Sequence, residues 1–394
     1  MAQVYDVVIV GGGGVGSAIA YFLTAHPEFR GTVAVVERDP TYANCSTTRS
    51  AGSVRQQFST PANIELSKFG AHFLKHIGDY LAVDGEVPQI SFRENGYLFL
   101  ASESGRAVLE QNHAVQKAHG ADNVLLPPSS LAERFPWLNT EGLALGSLGL
   151  SNEGWFDPYA LLQGYKRKAR AQGAIYLSDE VVAVARRGGR ILGVTLKSAG
   201  GVACGHMVDA AGPFGGAVAA LAGVALPVRP RKRFVYVFDC RAPVEGCPLL
   251  IDPTGVWVRP EGRQFICGVS PDESDDPDCE DLELDYRQWE EIVWPTLAAR
   301  IPAFEAVKLT NAWAGHYDYN TVDQNAILGP HPEIGNLLFA NGFSGHGIQQ
   351  SPAVGRAITE LILYGGYRSI ELSVFAYSEE RLSGRRPVRE LNVV

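Results

Sequence analysis

The sequence has no long basic tract, no C-x-x-C pair and no apolar stretch long enough to cross a membrane. Without such a tract, and with a net charge of −9, nucleic acid and anionic membranes are not expected as general partners. The six cysteines, at 45, 204, 240, 247, 267 and 279, stand apart from one another, so reduced thiols are expected rather than a metal centre or a disulfide framework. A buried-strand pattern starts at Val4, which leaves no room for a charged leader and an apolar signal core. The expectation is a soluble, cytoplasmic protein; a mitochondrial-matrix form with its transit peptide removed would read the same. At 394 residues the chain is long enough for two domains with substantial cores.

The chain is organised around its first forty residues. Val7 to Val10 form an apolar, β-branched run that ends directly in glycine, the pattern of a buried strand feeding a tight turn. Gly11, Gly13 and Gly16 stand at G-x-G-x-x-G spacing, and small and apolar residues then recur at helical intervals. Gly11 allows the turn, Gly13 lets a pyrophosphate approach the backbone, and Gly16 lets the helix close on the strand. The phosphates would sit at the helix N-terminus. A second strand, Thr32 to Val36, leads to Glu37, about twenty positions after Gly16, where a carboxylate meets a ribose hydroxyl. A dinucleotide is expected; this stretch leaves FAD and NAD both open.

A polar loop follows, "RDPTYANCSTTRSAGSVRQQFS", too long for a plain connection. Its hydroxyls and Gly52 suit the wrapping of a cofactor. Arg55 reads either as a guanidinium aimed at a substrate carboxylate or as a solvated residue, and Arg49 reads as solvated. A helix opens at Thr60-Pro61, and another is capped by Asp157 and Pro158 and stopped by Gly173. Val181 to Leu196 read as a hairpin, and "GVACGHMVDAAGPFGG" as a buried strand returning to the dinucleotide sheet, with Gly212 close to the cofactor. Alternation through Phe234, Tyr236 and Phe238 marks a strand of a second domain. The acidic loop at 272–285 reads as solvated surface rather than a metal site, because its carboxylates are sequential and no histidine is near. Late in the chain Leu337 to Ala340 form a short buried strand, Gly342, Gly345 and Gly347 follow, and a helix is expected from Ser351-Pro352 to about Tyr364. A flavin accounts for this second strand–glycine loop–helix unit: one helix N-terminus holds the pyrophosphate, and another faces the ring edge where negative charge gathers on reduction.

Three segments together, "VVIVGGGGVGSAIAYFL…VAVVERD", "VDAAGPFG" and "TVDQNAILGPHPEIGNLLFANGFSGHGIQQSPAVG", resemble the D-amino-acid oxidase-like FAD oxidoreductases, the group of glycine oxidase, monomeric sarcosine oxidase and dimethylglycine dehydrogenase. Within that family "WAGHYDYNTVDQN", "GFSGHGIQQSP" and "VRQQFS" look closest to a mitochondrial branch linked to assembly of a respiratory complex. The resemblance implies an α/β fold, with a doubly wound Rossmann-like FAD domain from 1–81, 151–226 and 311–394. A mixed-sheet α+β substrate or cap domain would come from 82–150 and 227–310. It implies that Gly11, Gly13, Gly14, Val15 and Gly16 cradle the pyrophosphate and that Glu37 and Arg38 flank the adenosine ribose. Thr47, Thr48, Ser50, Ala51 and Gly52 would run beside the cofactor, Val182, Ala211 and Gly212 would contact it, and Gly342, Phe343, Ser344, Gly345, His346, Gly347 and Ile348 would lie beside the ring.

The chemistry implied is removal of a hydride from the carbon beside an amine nitrogen to flavin N5, with hydrolysis of the resulting imine. A secondary amine or N-substituted amino acid is the favoured substrate, and a quinone, a carrier protein or slow oxygen the acceptor. Candidate ring or substrate contacts are Arg55, Tyr236, His316, Tyr317, His346 and Gln349; for each aromatic or histidine a satisfied core role stays open. Where sarcosine oxidases attach flavin through a cysteine this chain has His316, and non-covalent FAD is expected. Their oxygen-activating lysine corresponds to Ile266 or Cys267, which points to a dehydrogenase rather than a fast oxidase, and their carboxylate-binding lysine corresponds to Gln349. An assembly factor with weak catalysis and an FAD-dependent 2-hydroxy-acid dehydrogenase stay open; an NAD enzyme is disfavoured by the second glycine unit.

Overall fold

The first strand, Gln3–Val10, carries fully buried Val7, Val8 and Ile9 in succession, as a strand covered on both faces must. It lies at the centre of one sheet in the computed structural model, which describes residues 3–391. Val33–Glu37 and then Ile175–Ser178 run parallel on one side of it; Gly200–Asp209 and then Leu337–Asn341 run parallel on the other. Ile327–Pro330 closes that edge antiparallel, and the hairpin Val181–Arg187 with Arg190–Leu196 extends from Gly200–Asp209. Val10 is in register with Val36 on one side and Asp209 on the other, so the carboxyl ends of the central strands come level. The chain leaves the first strand in one direction and later returns on its other side, which makes this edge a topological switch point, where open α/β sheets bind ligands.

Helices Gly14–Ala25, Pro61–Lys75, Pro158–Ala171 and Gly347–Tyr364 cover one face. The first and last of these touch closely because Gly355 has no side chain: a Cβ there would stand 2.9 Å from the Ala18 carbonyl oxygen. As its sequence suggests, Pro158–Ala171 is capped by Asp157, whose carboxylate accepts from the Ala160 N–H at 2.9 Å. The last helix starts at Gly347, a turn before the expected Ser351-Pro352. Pro352 lies inside it without a donor, and the Ser351 hydroxyl donates to the Ile348 carbonyl instead, at 2.9 Å.

The second sheet is mixed, in the order Val307–Asn320, Val228–Cys240, Gln264–Gly268, Trp257–Glu261, Leu249–Ile251, Tyr97–Ala101, Leu145–Gly149, Asn123–Leu126. Its two long strands, Val228–Cys240 and Val307–Asn320, pair antiparallel along their lengths; the second runs unbroken through the boundary expected at 311. Tyr236 and Phe238 face a core with Trp289 and Phe304, while Val235, Val237 and Ile266 face the opposite way, toward Ala51. The fold is thus a doubly wound α/β unit with a mixed-sheet unit over its switch point.

Candidate functional site

A cleft runs along the carboxyl edge of the first sheet and beneath the second. At one end is the first glycine loop. Gly11 has φ +97°, and a Cβ there would lie 2.4 Å from the Ala210 carbonyl; a Cβ on Gly16 would lie 1.9 Å from the Gly11 carbonyl. A side chain at Gly11 would push the loop away from the end of Gly200–Asp209, and one at Gly16 would push the helix off the loop. Glu37 lines the cleft, with its carboxylate accepting from the Gly12 and Asp39 N–H groups, each at 2.8 Å. Arg38 lies over the Phe214 ring, its Cζ 3.8 Å from the ring centre.

The polar loop forms one wall. Thr47 accepts from the Gly14 N–H at 3.0 Å, and Gly52 (φ +62°) packs where a Cβ would meet the Phe156 carbonyl at 2.3 Å. Arg49 is not solvated surface: its guanidinium donates to the Ala43 and Ala314 carbonyls and to Asn44 Oδ1, pinning the loop to the strand Val307–Asn320. No carboxylate among the described residues pairs with it, so its charge faces a cleft suited to an anion. At the end of Gly200–Asp209, Asn341 Oδ1 accepts from the Gly212 N–H at 3.1 Å and its amide donates to the Asp209 carbonyl at 2.8 Å. Burial pushes the Asp209 carboxyl up to about 7.

The second glycine loop forms the other wall. Gly342, Ser344 and Gly345 all have positive φ, and a Cβ on Gly345 would fall 2.6 Å from the Tyr317 ring. Asp318 accepts the Phe343 N–H at 3.0 Å through Oδ2, and its carbonyl accepts the Ser344 N–H at 3.1 Å. Burial raises its carboxyl to about 6.

The cleft gathers Gly11, Gly13, Gly14, Val15, Glu37 and Arg38 with Thr47, Ser50, Ala51 and Gly52, and adds Ala211, Gly212, His316, Tyr317, Phe343, Gly345, Gly347 and Ile348. Gly16, Thr48, Gly342 and Ser344 stand behind its walls. So do Arg55, His346 and Gln349. Arg55 is 2 % exposed, which overturns the solvated reading, and it lies between the rings of Phe58 and Phe99. Its Nη2 is 2.9 Å from His346 Nε2; a guanidinium only donates, so that nitrogen accepts and the imidazole is neutral. Burial, reinforced by the Arg55 charge, holds His346 well below the usual histidine range. Gln349 Oε1 accepts from the Arg55 backbone N–H at 3.0 Å, so the three are one buried unit tying the polar loop to the last helix.

Two expected contacts lie elsewhere. Tyr236 is fully buried in the core of the second sheet and donates to the Asp285 carbonyl at 2.6 Å, because strand alternation turns it away from the cleft. The Val182 side chain is 44 % exposed on the hairpin, outside the cleft lining. His316 lines the cleft with its Nε2 3.0 Å from the Asp281 carbonyl, so that edge donates to the backbone.

The sequence reading missed Arg233 and Asp318. Arg233 lines the cleft, stacks over Tyr317 at 4.9 Å and pairs through both Nη atoms with Asp276, each at 2.8 Å. The acidic loop is therefore partly buried, since Asp276 is 7 % exposed. The signal was present: if Phe234, Tyr236 and Phe238 mark a strand, Arg233 and Val235 occupy its other parity.

The residues present fit an FAD: a helix N-terminus behind glycines that admit no side chain, an acid at the end of the second strand, an unpaired arginine on the wall and a second helix N-terminus at the far end. The chain is 46% identical over 424 residues to the FAD-dependent oxidoreductase domain-containing protein 1 of Xenopus laevis, covering 99% of this chain and 85% of that protein. It is 27% identical over 372 residues to glycine oxidase of Bacillus subtilis, covering 92% of this chain and 94% of that protein. Among solved structures it matches L-proline dehydrogenase from P. horikoshii with a TM-score of 0.84 and 26% identity, over 95% of this chain and 97% of that one. The family model for FAD dependent oxidoreductases (DAO) matches residues 6–361, and the chain belongs to that family.

Proposed function

We propose that the protein oxidises the C–N bond of an amine or amino acid, with a secondary amine or N-substituted amino acid as substrate, and acts as a dehydrogenase. The observation that carries this reading is the convergence of both glycine loops on one cleft roofed by the second sheet. FAD bound there supplies the electron acceptor, taking a hydride at N5 from the carbon beside nitrogen. The chain's own contribution is position and charge. The first-turn N–H groups of Gly347–Tyr364 have no partners within the helix and favour negative charge at the cleft. Val235, Trp257 and Val269 form an apolar roof that excludes water from the reacting carbon.

Arg55, His346 and Gln349 act as positioning residues for the second loop. The secondary-amine preference draws support from the likeness to a dehydrogenase of L-proline, itself a cyclic secondary amine. No lysine lines the cleft among the described residues, which fits electron delivery to a quinone or carrier protein over fast reaction with oxygen.

The test is a visible spectrum of the purified protein followed by anaerobic addition of secondary amines, primary amino acids and 2-hydroxy acids. Bleaching by secondary amines is the expected result. Bleaching by 2-hydroxy acids alone would replace the C–N assignment, and a bound flavin that no class reduces would favour a role in assembling a respiratory complex.

A further inference from the structure

We infer that Asp318 is the receptor for the substrate's nitrogen, which enters the cleft as an ammonium and gives its proton to this carboxylate. The inference rests on the amine reading above and names the residue that makes the site select a cation.

Asp318 lies on Val307–Asn320 opposite Pro230 and lines the cleft beside Tyr317 and His316. The cations on the elements around it have partners other than Asp318, Arg55 behind the second glycine loop lying against His346. From the adjacent strand, Arg231 pairs with Asp278, Lys232 with Asp281 and Arg233 with Asp276. Arg49 on the polar loop keeps an unneutralised charge on the cleft wall, but each of its guanidinium nitrogens donates to a neutral oxygen, at Ala43, Ala314 or Asn44, and none to Asp318. His316, on the same strand, is held below its usual range by burial and donates to the Asp281 carbonyl. Tyr317 stacks with Arg233, and Tyr319 lies against Arg231 and Arg233. The glycine loop offers Asp318 backbone N–H groups, those of Phe343 and Gly342, and no charge.

Asp318 forms no ion pair among the described residues; the groups that favour its charged form are backbone N–H groups, of Phe343, Gly342 and Asp318 itself. A carboxylate kept in a low-dielectric cleft without a counter-charge costs free energy that a cationic ligand recovers. In the proposed step the substrate N–H bond breaks, an O–H bond forms on Asp318, and the electron pair stays on nitrogen. Bound FAD would supply the oxidant for the hydride on the carbon beside the neutral nitrogen. Burial assists, because it makes this carboxylate a stronger base than a solvated aspartate.

Asp318→Asn keeps an oxygen for the Phe343 N–H and removes the charge. In the FAD-loaded protein, binding of tetramethylammonium and of uncharged tert-butanol is read by perturbation of the flavin spectrum, which needs no turnover. The expected result is a preference for the cation in the wild type that falls about ten- to a hundred-fold in Asp318→Asn, the worth of a close charge pair in a partly desolvated site. In the wild type alone, cation binding and flavin reduction by a secondary amine should both weaken as pH falls through about 6, where Asp318 takes up a proton. Equal cation preference in the two proteins, or a wild type with no preference and no such pH limb, overturns the inference. If no amine bleaches the wild-type flavin yet the cation preference depends on Asp318, the amine-oxidation reading fails and the receptor stands.

Discussion

At Gly16 the nearest atom to a built Cβ is backbone, the Gly11 carbonyl at 1.9 Å, so no side-chain rotation relieves the contact. Gly16→Ala should cost about 1–3 kcal/mol through displaced packing and lower the FAD content of the purified protein, read as the ratio of flavin to protein absorbance. Gly201→Ala, where nothing lies within 4 Å, is the matched control and should change neither. Asp209 poses a different question, since it is fully buried and its Oδ2 has no hydrogen-bond partner among the described residues. Its folded pKa is raised from 3.8 to about 7, so the stability it contributes is complete below the lower value and is lost as pH rises toward the higher one. Asp209→Asn removes that dependence. Across the interval from pH 5 to 7, urea unfolding at fixed FAD concentration should show the wild type losing at most about 1.4 kcal/mol per pH unit relative to the variant. Parallel curves for the two proteins would mean that the carboxyl ionises freely in the folded state.

Among the elements, those with local signals were legible. The first strand–loop–helix unit, the Asp157-capped helix and the 181–196 hairpin each carry their caps, turns or periodicity within a few residues, and the structure has all of them. What was hidden depends on partners distant in sequence. The start of the last helix was displaced because Pro352 imitates a first-turn proline, whereas Ser351 supplies the compensating hydroxyl a turn further in. The acidic loop looked solvated because nothing in 272–285 reveals that Arg231, Lys232 and Arg233 on another strand lie opposite Asp278, Asp281 and Asp276. Only the Arg233–Asp276 pair is buried at both ends, so it should dominate the loop's attachment. Asp276→Ala strands a buried guanidinium and should cost about 3–5 kcal/mol, with faster proteolysis within 272–285. Combining Asp276→Leu with Arg233→Met should restore most of that stability, because two apolar groups leave no uncompensated charge. Equal losses in the single and double variants would show that the loop is held by its exposed pairs instead.

At the scale of the whole molecule, the same glycine spacings that made the dinucleotide loop readable also limited what could be read. They identify backbone that must approach a ligand, whereas the polar groups around a substrate come from strand parity and cross-strand register. Arg55 and Gln349 illustrate this: the resemblance offered them as substrate contacts, and the fold seals them behind the second glycine loop. The cleft draws its walls from segments around residues 11–15, 37–53, 210–214, 315–318 and 343–348, which come together only when both sheets have formed. An FAD held by all of them binds the folded chain and not the unfolded one, so it should stabilise by mass action, by about 2.7 kcal/mol at a hundredfold excess over its Kd. The melting temperature should therefore climb with added FAD, and acid precipitation should release the flavin completely into the supernatant. His316 supplies the contrast, since it is the cleft histidine at the position where related oxidases form a covalent link, but its Nε2 is engaged with the Asp281 carbonyl. A yellow pellet after precipitation, together with a melting temperature indifferent to FAD, would show a covalent bond, and His316→Ala would then be expected to abolish it.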